Sequence, residues 1–333
     1  MEVIFKKPPV SETVSGQERR VGLEFEFTGL PMDRAAEMIS GLYGGTAEQI
    51  STYKFKVSGT EFGDFALELD ASLLKDKKYE KTLKSLGIKM ADFKNKEKIE
   101  ETLMDVASSV VPFEIITPPI YFSSLHRLTS MVDRLREWKA KGTGSSVFYA
   151  FGMHINPEIP RMDTDTLLRH LQAFVLLEKL IRKWVKVNMS RRMTPYINEY
   201  QEEYVRLILD PAYEPDLEML IEDYVAYNSR NRALDMLPVF MYLNEELTQS
   251  LLTEDITSSR PTFHYRLPNC SIEDENWSLA LEWNRWWLVE KLASDQKTLQ
   301  QYSKAWLKMK KNTLVGFESK WLKLMERWAK NVQ

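Results

Sequence analysis

Four short stretches place polar, metal-competent side chains two residues apart with apolar residues between them. They are Leu23-Glu24-Phe25-Glu26-Phe27, Leu67-Glu68-Leu69-Asp70, Met153-His154-Ile155-Asn156 and Phe263-His264-Tyr265-Arg266. Side chains on a β-strand alternate between faces, so in each stretch the polar pair shares one face and the apolar residues share the other. A fifth run, Val111 to Pro119, adds Glu114 as a lone acid in an apolar setting. If these strands join one sheet, a single surface collects Glu24, Glu26, Glu68, Asp70, Glu114, two histidines and an arginine. Carboxylates and imidazoles gathered in that way suit a divalent metal ion beside phosphate. A solvated sheet face also alternates polar and apolar residues, and that reading stands beside the first. What favours metal is composition. The inner positions of the acidic runs carry no lysine, and like charges facing each other across strands need a cation between them.

The elements that must position these residues read as mixed α and β. Strand signals begin at Arg20. Pro31 and the following Asp33-Arg34-Ala35-Ala36-Glu37-Met38-Ile39 start a helix that Gly44-Gly45 ends. Residues 53–57 and 65–70 alternate as strands. Residues 75–108 are a charged, helical insertion crowded with lysine and acids, read as a solvated surface. Amphipathic helices are expected over 125–138 and 167–187, two more over 216–251 around a break at Pro238, and a Trp-rich helical region over 278–330. His126 and His170 are assigned to surface and structural roles. The domain reading is a flexible lead-in over 1–19, a catalytic domain over 20–272, and a helical extension over 273–333 packed on that domain.

Composition sets outer limits. In 333 residues, 44% hydrophobic, there is ample material for a large core. A net charge of −3 gives no general attraction to nucleic acid or anionic membrane. One cysteine, Cys270, excludes an internal disulfide framework. No apolar leader and no bilayer-length apolar run is present, so the expectation is a cytoplasmic protein without nucleic-acid or membrane partners. The basic, aromatic C-terminal helices fit one-sided packing with lysines outward. Motifs for a P-loop, a GxGxxG turn, a kinase or a serine nucleophile elbow are absent. Cations are available in Arg191-Arg192, near Tyr196, in Arg230 and Arg232, and in Arg260 and Arg266. Guanidinium beside metal-bound carboxylates suits polyphosphate handling.

Taken in order, Val21-Gly22-Leu23-Glu24-Phe25-Glu26-Phe27, Asp70-Ala71-Ser72-Leu73, Phe113-Glu114-Ile115-Ile116-Thr117-Pro118-Pro119, Gly152-Met153-His154-Ile155-Asn156 and Thr262-Phe263-His264-Tyr265-Arg266-Leu267 resemble the amidoligase family. That family belongs to the carboxylate–amine ligase superfamily of glutamine synthetase and glutamate–cysteine ligase. The resemblance spans roughly residues 20–272, and Ser190-Arg191-Arg192 with Tyr196 is similar to another recurring segment. It implies an α+β fold with a curved, mostly antiparallel, glutamine synthetase-like sheet flanked by helices. It also implies ATP- and Mg²⁺-dependent amide formation through an acyl phosphate, with Mn²⁺ as a second candidate ion. Glu24, Glu26, Asp70, Glu114, His154 and His264 would then hold metal. Arg266, Arg191 and Arg192 would contact phosphate or substrate carboxylate, and Asn156 would join the nucleotide site. Small-molecule or peptide carboxylates and amines are the implied substrates, and 75–108 or the C-terminal helices are the expected surfaces for any protein partner. Relatives commonly carry glutamate where this chain has His264, which keeps two alternatives open: a catalytically impaired scaffold on the ligase fold, or another metal-dependent phosphoryl-transfer enzyme.

Overall fold

A computed structural model describes residues 3–51, 54–69, 112–143, 152–186, 197–228, 232–252, 259–312 and 315–333. Asp70, Arg191, Arg192, Tyr196, Arg230 and the insertion 75–108 lie outside the described residues.

Among the described residues, a nine-stranded sheet organises the chain. Its strands are β1 (Arg20–Phe27), β2 (Thr46–Ser51), β3 (Lys54–Thr60), β4 (Gly63–Leu69), β5 (Phe113–Ile116), β6 (Ile120–Tyr121), β7 (Met153–Pro157), β8 (Leu234–Asp235) and β9 (His264–Tyr265). The order across the sheet is β2-β3-β4-β5-β1-β7-β9-β8, with β6 also pairing β1, and each named pair of strands is antiparallel. The fold is therefore α+β with a largely antiparallel open sheet, as expected.

Alternation divides the sheet sharply. One face carries Leu23, Phe25, Phe27, Phe65, Leu67, Phe113, Ile115, Met153, Ile155, Phe263 and Tyr265, all buried. Helices cover it. In α1 (Met32–Tyr43) the Tyr43 ring stacks on Phe65 at 5.8 Å. In the long helix α3 (Thr164–Val185), Phe174 meets Tyr265 and His170 stacks on Phe263. In α8 (Leu279–Ser294), Trp286 lies 5.5 Å from Phe263 and 5.3 Å from Tyr265. Fully burying one such aromatic contributes about 1.5–3 kcal/mol, so these ring contacts fix which way the central strands face. The ends of both long helices are set locally: Asp163 accepts from Thr166 N, and Ser278 accepts from Leu281 N.

The remaining helices are α2 (Thr129–Glu137), α4 (Glu202–Leu209), α5 (Leu217–Tyr227), α6 (Leu237–Leu243), α7 (Glu245–Ser250), α9 (Gln296–Asn312) and α10 (Phe317–Val332). Two expectations need correction. The helix expected over 125–138 is a 3₁₀ turn over Phe122–Leu128 followed by α2. The pair expected over 216–251 is three helices with β8 between the first two. Pro238 sits in the first turn of α6, where its missing N–H costs nothing, so it starts a helix and does not break one. His126 lies exposed in the 3₁₀ turn, and His170 is buried with Nδ1 against the Thr166 carbonyl, 2.8 Å away.

Near the start of the chain, Lys6 N donates to Asn284 Oδ1, while the indoles of Trp283 and Trp287 donate to the carbonyls of Lys6 and Lys7. Arg19 forms a buried, two-pronged pair with Glu290 of α8, both contacts 2.8 Å. Among the described residues, no helix is long and apolar enough to cross a membrane.

Candidate active site

The register of the strands builds the site. Glu24 on β1 sits opposite His154 on β7, and Glu26 sits opposite Glu114 on β5, which in turn faces Glu68 on β4. On the other flank Ile155 pairs with Tyr265, and His264 pairs with Asp235 on β8. Period-two alternation then brings Glu24, Glu26, Glu68, Glu114, His154, Asn156, Asp235, His264 and Arg266 to one face, opposite the helix-covered one. Glu24 and Glu114 thus share the same side of the sheet.

Glu24 is the hub. It is buried, and donors from neighbouring strands and the loop before β9 surround its carboxylate. Oε2 lies 2.5 Å from Nδ1 of His154 and 3.7 Å from Nε2 of His264. Oε1 accepts from Asn156 Nδ2 at 2.8 Å and from Arg260 Nη1 at 3.0 Å. Burial alone would raise the acid's pKa, but the two histidines outweigh it and hold the carboxyl well below the usual range. Glu24 is therefore an anion at neutral pH.

Beside it, Glu26 takes the backbone N–H of Gly152 on Oε2 at 2.7 Å and faces Nε2 of His154 at 3.5 Å. The row then runs outward through Glu114 to Glu68, which Lys54 pairs at 2.9 Å where the sheet opens to solvent.

The opposite flank is locked more tightly. Arg266 gives Nη2 to Asp235 Oδ2 at 3.0 Å, and Asp235 is itself held by the N–H of Leu237 through Oδ1. His264 lies between this pair and Glu24. Its Nε2 is 3.3 Å from Nδ1 of His154, and its Nδ1 is 3.4 Å from Arg266 Nη2. Burial, with Arg266 adding to it, pushes the His264 pKa down to about 4, so this imidazole is neutral at physiological pH.

Glu24, His154 and His264 offer ligand atoms that all lie within 4.8 Å of one another. Two imidazoles beside an ionised carboxylate are a competent donor set for a divalent ion. Among the described candidates, Glu24, Glu26, Glu114, His154, His264, Asn156 and Arg266 are brought together; Asp70, Arg191 and Arg192 fall outside the described residues. Two participants were not singled out from sequence. Asp235 sits in a two-residue strand too short to show alternation. Arg260, noted only as a flanking cation, reaches Glu24 from the irregular segment before Pro261, where no periodicity predicts direction.

A family described as "putative amidoligase enzyme" matches residues 17–288, which include every site residue above. Neither the curated proteins nor the solved structures contain a match.

Proposed function

The chain belongs to the amidoligase family, and from that premise we propose that it is an ATP-dependent carboxylate–amine ligase acting through an acyl phosphate on a glutamine synthetase-like sheet. The observation carrying this reading is the convergence of Glu24, Glu26, Glu114, His154, His264, Arg260 and Arg266 on one face of the sheet, with the helices on the other.

In the proposed reaction a substrate carboxylate oxygen attacks the γ-phosphorus of ATP. The bond to the β–γ bridging oxygen breaks, and ADP leaves. The amine nitrogen then attacks the acyl carbon, phosphate leaves, and the amine gives up a proton. Glu24, Glu26, Glu114, His154 and His264, with Asp70 adjacent in sequence to β4, would hold divalent metal, Mg²⁺ or Mn²⁺. Such an ion, when bound, offsets charge on phosphate oxygens. Arg266 is fixed by Asp235 and supplies a positive charge that need not reorganise as the phosphoryl group moves. Arg260 is partly exposed and reaches the hub from outside, a suitable position for meeting incoming phosphate. Asn156 orients Glu24. Arg191 and Arg192 complete the proposal as contacts to phosphate or the substrate carboxylate.

The test is ADP release from the purified chain, with Mg²⁺ or Mn²⁺, against panels of carboxylates and amines. Hydroxylamine is added to trap an acyl phosphate as its hydroxamate. A ligase releases ADP only with both substrates and yields hydroxamate. ADP release that needs neither would mark a nucleotide hydrolase, and release without acyl transfer a kinase. Complete indifference to nucleotide in thermal unfolding would favour a scaffold.

A further inference from the structure

The inner end of the site differs chemically from its acidic row. Nδ1 of His154, Nε2 of His264 and Oε2 of Glu24 form a triangle with edges of 2.5, 3.3 and 3.7 Å. Ligands about 2.1 Å from one ion stand roughly 3–3.4 Å apart in octahedral or tetrahedral arrangements; the His154–His264 edge already has that length, the His264–Glu24 edge must close by a few tenths of an ångström, and the 2.5 Å His154–Glu24 hydrogen bond must open. The three residues come from β1, β7 and β9, consecutive strands in the sheet, so the triangle is built by the ladder and not by a loop. A cation there would be held by three protein ligands.

We infer that Glu24, His154 and His264 form a nitrogen-rich subsite that takes a first-row transition ion, such as Mn²⁺, Fe²⁺, Co²⁺ or Zn²⁺, in preference to Mg²⁺. This deepens the ligase reading by naming the metal class of one part of that same site. The reason is ligand chemistry. Mg²⁺ prefers an octahedron of oxygens and keeps its waters, whereas imidazole suits the later divalent ions. The outer row of Glu26, Glu114 and Glu68 offers oxygens only and remains the natural place for magnesium.

The surroundings support the subsite. Behind His154, the Glu26 carboxylate faces the far ring nitrogen, the usual outer partner of a metal-bound imidazole. The amide of Asn156 holds Glu24 through Nδ2, while its own Oδ1 is buried without a hydrogen-bond partner and can accept from a metal-bound water. Ligation through Nε2 of His264 puts that ring's proton on Nδ1, which faces Arg266. The 3.4 Å contact in which Arg266 Nη2 donates to Nδ1 must then be given up, leaving Arg266 its bond to Asp235.

Pulsed electron paramagnetic resonance of the full-length, chelator-stripped chain loaded with Mn²⁺ tests this directly. The expected result is couplings from two imidazole nitrogens, with calorimetry showing Mn²⁺ and Co²⁺ bound more than about tenfold tighter than Mg²⁺. In His264→Glu one nitrogen coupling should vanish and the preference over Mg²⁺ should shrink. Circular dichroism confirms that this variant is folded, and the wild-type spectrum stands whether or not it folds. A single nitrogen coupling in the wild type would mean that Arg266 keeps the proton on Nε2 of His264, and the assignment would fail. No nitrogen coupling, or equal affinity for Mg²⁺ and Mn²⁺, would also overturn it. The ligase reading is decided separately: two nitrogen couplings without amine-dependent ADP release would retain the metal assignment and reject the ligase.

Discussion

Glu26 shows most directly what the acidic row demands. It stands opposite Glu114, and Glu68 stands beyond, so three carboxylates line up across adjacent strands, with Lys54 paired to Glu68 at the outer end. Divalent metal should therefore stabilise the fold; an ion at one hundred times its dissociation constant adds about 2.7 kcal/mol. Glu26→Gln should remove most of the metal-dependent rise in melting temperature, and an unchanged rise would show that the ion sits elsewhere. His170 illustrates a titration unrelated to the site. Burial pushes its pKa to about 4; Glu290 and the Thr166 carbonyl pull upward, while Arg19 and Arg169 oppose them. The unfolded chain takes this proton near 6.5 and the folded chain only near 4, so stability is complete above 6.5 and falls as the pH is lowered between the two. The span corresponds to roughly 3 kcal/mol. Denaturant titrations from pH 7 to 4 should show a shallower loss for His170→Gln than for the parent. The sequence showed which residues could bind metal because alternation is local. Burial is not local: an ordinary imidazole titrates near ~6.5, whereas His264 lies well below that because of what packs around it.

At the level of elements, the reading succeeded where a pattern was long enough to have a period. Five polar–apolar runs gave β1, β4, β5, β7 and β9, and the register joined them as their faces require. It failed where an element is short or polar. β2 is an edge strand whose exposed Thr46–Ser51 text contains little apolar signal, and β8 is two residues long. Pro238 misled because proline both breaks helix interiors and starts helices. The strand most exposed to a packing test is β5, which lies between β4 and β1 with Ile115 fully buried. Ile115→Ala should cost about 2–5 kcal/mol in chemical denaturation. Its neighbours Glu114 and Ile116 face the other side, so loosening this strand should also weaken metal binding.

For the whole molecule, the helix-covered face works as the foundation of the site. Trp286 packs behind Phe263 and Tyr265, directly beneath His264 and Arg266, and its indole donates to Glu290. Glu290 pairs with Arg19, which also donates to the carbonyls of Val10 and Glu158. One buried ion pair thus links the beginning of the chain, α8 and the end of β7. Glu290→Gln leaves a buried guanidinium without its anion and should destabilise by about 3–5 kcal/mol. Arg19→Met with Glu290→Leu should recover much of that loss. Equal stability of Glu290→Gln and parent in urea would show that the pair carries little energy. No sequence pattern announces it, because the partners are separated by most of the chain and each resembles an ordinary surface charge.

The hydrogen bond from Arg260 to Glu24 has a consequence for the order in which ligands arrive. Each cation that the hub accepts competes with this guanidinium, whose side chain is 40% exposed and within reach of solution anions. A triphosphate that draws Arg260 away leaves Glu24 more negative and readier for metal; a bound metal leaves Arg260 freer for phosphate. By thermodynamic reciprocity each ligand must then tighten the other by the same factor. Arg260→Gln should raise metal affinity in the absence of nucleotide and reduce the cooperativity between the two. Titrations of Mn²⁺ with and without a non-hydrolysable triphosphate would measure both effects, and an undiminished coupling in the variant would exclude Arg260 as the link.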